Sequence, residues 1–190
     1  NMLVFWNELA KKRGLPGIKF LVQFPTENCL DDSIDEIFEG IVEFEPIYTL
    51  NSLIGNRKRI IKFMLEHKQY VYKYIGNKVF NLFNNSHRHI YPYDMIIQES
   101  LKRGDSRRVY PGLFPKWDNT PRRNKNATIY AGSTPEKFDE YVKMKLQKEY
   151  HNEYMFINAW NEWGEGAYLE PDEQYKFAYL DVIKKYFMDK

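Results

Sequence analysis

The stretch YMFINAWNEWGEGAYLEPD (154–172) decides how this chain is read. YMFINAW (154–160) is strongly apolar and reads as a buried strand. Polar residues follow at once: Asn161, Glu162 and Glu165, with Gly164 and Gly166 between and after them. Parallel α/β proteins place their chemistry just past the C-terminal ends of strands. The glycines allow sharp turns, so both carboxyl groups can point into one cleft.

Working outward, strand-like and helical stretches alternate. IKFLVQF (18–24), GIVEFEP (40–46) and RVYPGLF (108–114) read as strands. DDSIDEIFEG (31–40), YDMIIQESLKR (93–103), STPEKFDEYVKMKLQKEY (133–150) and QYKFAYLDVIKKYFM (174–188) read as helices. Ser133 or Thr134 can cap the third of these, and Pro135 suits its first turn. An opening helix over 2–13 puts Leu3, Phe5, Trp6, Leu9 and Ala10 on one face and stops at Gly14. Residues 47–92 are the least regular and read as an insertion, with a polar loop from Asn84 to His89.

This alternation implies parallel βαβ units. About four such units are visible by the pattern rule, and a complete (β/α)8 barrel needs roughly 250 residues. The 190 residues therefore read as a single α/β domain of TIM-barrel type covering the C-terminal half. The N-terminal barrel half is expected as its missing partner. The rival is a small open sheet, and no strand is followed by the Gly-rich loop of a nucleotide-binding version.

The formal net charge is +2 with mixed signs, which gives no field for nucleic acid. The basic runs Arg103, Arg107, Arg108 and Arg122, Arg123, Lys125 are short and read as solvated faces or loop anchors. Cys29 is the single cysteine, so no internal disulfide can form. No apolar stretch is long enough to span a bilayer, and no signal peptide is visible. We expect a cytoplasmic protein, from a chain whose opening looks like the middle of a longer one. No cofactor is expected. His87 and His89 form a lone HRH in a polar loop, too little for a metal site.

Aromatic residues make up 17% of the chain, and an aromatic plane packs well on the C–H face of a sugar ring. Trp160, Trp163 and Tyr168 are stacking candidates beside the glutamates, and Asn161 and Glu170 can bind hydroxyls. Glycosidic chemistry commonly uses two carboxyl groups, one protonating the leaving oxygen and one serving as nucleophile or base. Glu162 and Glu165 are the catalytic candidates. A bare Glu-x-x-Glu pair usually faces solvent, but here a buried strand, three aromatics and two glycines surround it. YPGLFPKWDNTPRR (110–123) also follows a strand, so it should share that face. It offers Trp117 for stacking, Asp118 and Asn119 for vicinal hydroxyls, and Arg122 and Arg123 as planar donor forks. In VEFEP (42–46), Glu43 and Glu45 alternate, so only one can face the interior. Glu43 is read as orienting substrate or supporting structure.

PGLFPKWDNTPRR, GSTPEKFDEYV and FINAWNEWGEGAYLEPD, in that order, resemble the C-terminal half of the glycosyltransferase WbsX family. That family is related to glycoside hydrolase family 99, the endo-acting α-mannosidases. The resemblance covers most of residues 90–185, and VEFEP resembles the family more loosely. It implies a (β/α)8 barrel acting on glycosidic linkages, in bacterial surface polysaccharide metabolism. The hydrolase relatives carry a matching NEW-x-EG segment. Its first Glu acts as base on the sugar 2-hydroxyl, giving a 1,2-anhydro intermediate, and its second is the general acid. Carried over, Glu162 is the base and Glu165 the acid. Gly164 stands where the hydrolases carry His, so a substrate contact differs. The resemblance leaves three readings open: a retaining hydrolase or transglycosylase, a glycosyltransferase of lipopolysaccharide, O-antigen or capsule assembly, and a non-catalytic sugar-binding fragment. An oligosaccharide or polysaccharide is the ligand in each.

Overall fold

A computed structural model describes residues 2–24, 38–54, 76, 78, 87–104 and 108–188. Its elements are α1 (Met2–Lys12), β1 (Leu21–Phe24), β2 (Gly40–Glu43), α2 (Ile47–Ile54), β3 (His89–Pro92), α3 (Tyr93–Lys102), β4 (Val109–Tyr110) and β5 (Gly112–Leu113). They continue with α4 (Thr120–Arg123), β6 (Thr128–Ala131), α5 (Pro135–Leu146), β7 (Phe156–Ile157), β8 (Asn161–Glu162), β9 (Ala167–Tyr168) and α6 (Ala178–Phe187). Most of the expected 31–40 helix and of the 47–92 insertion lies outside the described residues, as does Cys29.

The fold is mixed α/β. β1, β2 and β4 pair in parallel, in chain order. β5 pairs in parallel with β7. The single strand expected over 108–114 is divided at Pro111. Proline has no N–H to give a ladder, and there the strand changes partner: Val109 and Tyr110 face β2, while Gly112 and Leu113 face β7. Phe156 N donates to Pro111 O (2.9 Å) and Asn158 N to Leu113 O (2.9 Å), which carries the ladder past the break. Parallel strands thus run β1, β2, β4/β5, β7 in sequence order, the order successive βα units produce.

Gly112 is required by this crossing. A Cβ there would sit 1.9 Å from the Glu43 carbonyl oxygen, so the neighbouring strand approaches as only glycine permits. Helices α3, α5 and α6 cover the strands. Their buried side chains, including Tyr93, Met95, Ile96, Phe138, Tyr141 and Val182, form one core with Leu113, Phe114 and Trp117. α5 begins as expected: Thr134 caps it by accepting from Lys137 N at 3.3 Å, and Pro135 opens its first turn.

The sequence reading needs three corrections here. β3 and β6 form a parallel pair that the reading lacked. The strand expected over 154–160 keeps its ladder only at Phe156–Ile157, because the chain leaves to build the β8–β9 hairpin. The opening helix forms, but Phe5, Trp6 and Leu9 are exposed and Ala10 is its one buried residue. Among the described residues, no helix is long and apolar enough to cross a membrane.

Candidate active site

The WNEWGEG segment folds as a hairpin. β8 and β9 pair antiparallel, with Asn161 opposite Tyr168 and Glu162 opposite Ala167. A 3-10 turn over Trp163–Glu165 joins them. Gly166 closes the turn in the left-handed region at φ +59°, a conformation L side chains rarely adopt. A Cβ there would also sit 2.8 Å from Asp118 O and 2.9 Å from Asp118 N. This contact fastens the hairpin to the loop after β5, and Asp118 N donates to Glu165 O at 2.9 Å. The two sequence motifs therefore meet, as their strand-end positions predict.

Both candidate carboxylates lie on this hairpin. Glu162 Oε1 is 3.2 Å from the point a Gly164 Cβ would occupy. This side chain folds over the glycine, and a larger residue would displace it. The Glu165 side chain is 18% exposed and pairs with Arg122 at 2.7 Å. Burial and the negative charge of Glu162 hold the Glu165 carboxyl above its ordinary range, while Arg122 and Arg123 pull the other way. Burial prevails, which suits a proton donor.

Aromatic and ionic contacts brace the hairpin from one side. Trp163 stacks on Tyr168 with ring centroids 3.7 Å apart. Its indole N–H donates to Glu170 Oε2 at 2.6 Å. The Tyr168 hydroxyl donates to Asp172 Oδ2 (3.1 Å), which also accepts from Lys116 Nζ (2.7 Å). Lys116 Nζ lies 3.5 Å from the centroid of the Tyr168 ring. Burial works against the Asp172 charge, yet Lys116, the Tyr175 amide and Tyr168 hold that carboxyl below its usual range. Trp160 and Asn161 are exposed beside the pair, and Trp160 O accepts from Leu169 N and Glu170 N at 2.9 and 3.1 Å.

The loop after β5 departs from its reading at one residue. Trp117 is no open stacking platform: it is 3% exposed and packs edge-on against Tyr130. The apolar run before it carries it into the core. Asp118 Oδ1 accepts from Thr120 N (2.9 Å), and Asn119 Oδ1 accepts from Thr128 N (2.7 Å). Both side chains shape the turn, while Asp118 remains exposed.

Glu43 and Glu45 also differ from expectation. Strict alternation would separate them, but the strand ends at Glu43, and Glu45 N folds back to donate to Glu43 O at 2.9 Å. Both carboxylates then enter one buried cluster. Arg103 Nε donates to Glu43 Oε1 (2.7 Å), and the same guanidinium pairs with Glu45 and bonds Thr49. Lys145 Nζ lies 3.2 Å from Glu43 Oε2 and 3.0 Å from Ser100 Oγ. Glu45 also accepts from Thr49 Oγ1 at 2.7 Å. Burial would raise Glu43, but Lys145 and Arg103 hold it below its ordinary value. This cluster welds β2 to α3 and α5. Arg103 and Lys145 had no sequence signal, being lone cations at helix ends; Lys116 and Asp172 stood inside quoted motifs without a role.

His87 and His89 are exposed, and among the described residues no group of three or more His, Cys, Asp or Glu is arranged to hold a metal ion.

A family model described as "Glycosyltransferase WbsX" matches residues 1–183. Two curated relatives, each named "Uncharacterized protein WxcX" and both from strains of Xanthomonas campestris pv. campestris, are 40% identical over 82 residues. The match covers 40% of this chain and 12% of each relative's length. The chain therefore corresponds to a small part of those proteins. No solved structure matches the chain.

Proposed function

The chain belongs to the glycosyltransferase WbsX family, and on that premise we propose that it carries the catalytic carboxyl pair of a barrel enzyme acting on glycosidic bonds of a bacterial surface polysaccharide. One observation carries this reading. Glu162 and Glu165 share a hairpin whose rim is aromatic, close enough that the charge of one raises the proton affinity of the other.

The chemistry follows from that asymmetry. Glu162 takes the proton of the sugar 2-hydroxyl, and that oxygen attacks the anomeric carbon. The bond to the leaving oxygen breaks as Glu165 gives that oxygen its proton. The resulting 1,2-anhydro sugar is opened by water or by an acceptor hydroxyl, whose proton returns to Glu165. Glu162 returns its own proton to the 2-oxygen. Two inversions give net retention, and the acceptor alone decides between hydrolysis and transfer. Trp160 and the outer face of Trp163 are the surfaces for the sugar ring, with Asn161 and Asp118 positioned for hydroxyls.

The test uses the full-length protein, oligosaccharides from bacterial surface polysaccharides and nitrophenyl glycosides. Glu162→Gln and Glu165→Gln should each lower turnover of oligosaccharides by about 10²–10⁴-fold, the usual worth of a positioned acid or base. Nitrophenolate leaves without help, so Glu165→Gln should keep much of its rate on the activated glycoside and Glu162→Gln should not. Undiminished oligosaccharide turnover in either variant refutes the assignment.

A further inference from the structure

Two basic motifs, far apart in sequence, meet beside Glu165. His87 N donates to Lys125 O (2.8 Å) and His89 N to Ala127 O (2.8 Å), so the HRH run lies along the 3-10 turn after α4. Arg88 Nε reaches Asn124 O at 3.3 Å. The parallel pairing of β3 with β6 fixes this register, with His89 opposite Thr128. From the other end, α4 brings Arg122 onto Glu165 at 2.7 Å, and the charge of Arg123 acts on the same carboxyl. Arg122, Arg123, Lys125, His87 and His89 are all exposed. The acids facing this ridge are Glu165 and Glu162 on the hairpin and Asp118 before α4, whose Oδ1 already accepts from Thr120 N.

A guanidinium on Glu165 favours its ionised form, the wrong state for a proton donor. A site for neutral sugars would gain nothing from it. Arg122 is 58% exposed and meets the carboxylate through a single nitrogen, so its planar fork remains open to a second oxyanion. We infer that the ridge of Arg88, Arg122, Arg123 and Lys125 binds an oxyanion carried by the glycan, that the substrate is therefore an acidic polysaccharide, and that the bound anion draws Arg122 away from Glu165. The last clause rests on the carboxyl-pair reading; the binding ridge does not. With Arg122 withdrawn, burial and the Glu162 charge act on Glu165 unopposed and keep its proton in place. A neutral glycan leaves Arg122 where it is.

Titration calorimetry on the full-length protein tests this with an oligogalacturonate, its carboxyl-reduced counterpart and a phosphorylated mannan oligosaccharide. At least one acidic probe should bind about tenfold or more tighter than the neutral one, as charge-assisted bonds allow, and added salt should erode the difference. Whichever acidic probe prevails identifies carboxylate or phosphate. The double variant Arg123→Ala/Lys125→Ala should lose about tenfold of that affinity, and Arg123→Lys/Lys125→Arg should recover most of it, which separates binding from folding. Equal binding or no binding of all three probes overturns the inference, as does an undiminished double variant. A DNA oligomer of equal charge, or anionic vesicles, binding as tightly as the acidic glycans would also overturn it. If acidic binding holds while a Glu162→Gln/Glu165→Gln protein keeps full turnover, the ridge stands and the carboxyl-pair reading falls.

Discussion

Replacing Arg103 by Met removes the hub of the buried charge cluster while filling most of its volume. In the folded protein Arg103 serves Glu43, Glu45, Thr49 and Ser100. Its side chain is 13% exposed, and those of Glu43 and Glu45 are 5% and 0% exposed. Without it, two buried carboxylates face the single cation Lys145. Removing one partner of a buried pair costs about 3–5 kcal/mol, because the remaining charge stays desolvated. At roughly 1–3 kcal/mol per molar urea, the unfolding midpoint should fall by about 1–3 M. The pH dependence is the sharper reading. In the parent protein Glu43 is depressed, against the effect of burial, by Lys145 and Arg103. Its contribution is present above the unfolded value of about 4.3 and is lost as pH falls through the folded value, so it is steady between pH 7 and 5. In the variant one of those cations is gone and burial dominates. A raised carboxyl favours the fold at low pH and loses that advantage as pH rises. The deficit should therefore be larger at pH 7 than at pH 5, measured by urea unfolding followed by circular dichroism. A deficit under about 1 kcal/mol, or one equal at both pH values, refutes the charge-balance account.

Two further outcomes follow from specific contacts. Gly112→Ala places a methyl group 1.9 Å from Glu43 O, backbone that cannot yield, so thermal unfolding should show a loss of about 3 kcal/mol or more; a loss under about 1 kcal/mol would mean the strands separate freely there. Arg122→Gln removes a cation that pulls Glu165 down, so the alkaline limb of the pH–rate profile, where the acid loses its proton, should move to higher pH. An unmoved limb would show that Glu165 is not the group titrating in turnover.

Local signals in the sequence carried the elements well. Thr134-Pro135 announced α5, and the apolar run into Asn161 announced a strand end rich in carboxylates. These features are written in neighbouring residues, where periodicity and capping operate. Departures came wherever a long-range partner decided the outcome. Trp117 looked like a loop aromatic, but Tyr130, thirteen positions on in sequence, closes over it in the core. Glu43 and Glu45 obey alternation only while the strand lasts, and the chain turns at Phe44. Arg103 and Lys145 have meaning only once α3 and α5 lie side by side. The HRH run said nothing alone; its register against β6 sets it along the 124–126 turn.

The two acidic centres show opposite hydrogen-bond economies, and this difference separates support from chemistry. Glu43 and Glu45 are saturated by donors from α2, α3, α5 and the Gly112 amide, and they hold elements together. At the hairpin the saturated groups are the neighbours: Trp163 on Glu170, and Tyr168 and Lys116 on Asp172. Glu165 has one exposed arginine, and Glu162 accepts no hydrogen bond from a described residue. A base must keep its lone pairs free for the substrate, and an acid must be able to shed its counter-ion. Rigidity supplied by the surrounding brace lets both carboxyls stay under-coordinated without losing position, which is the preorganisation that catalysis by positioned groups requires.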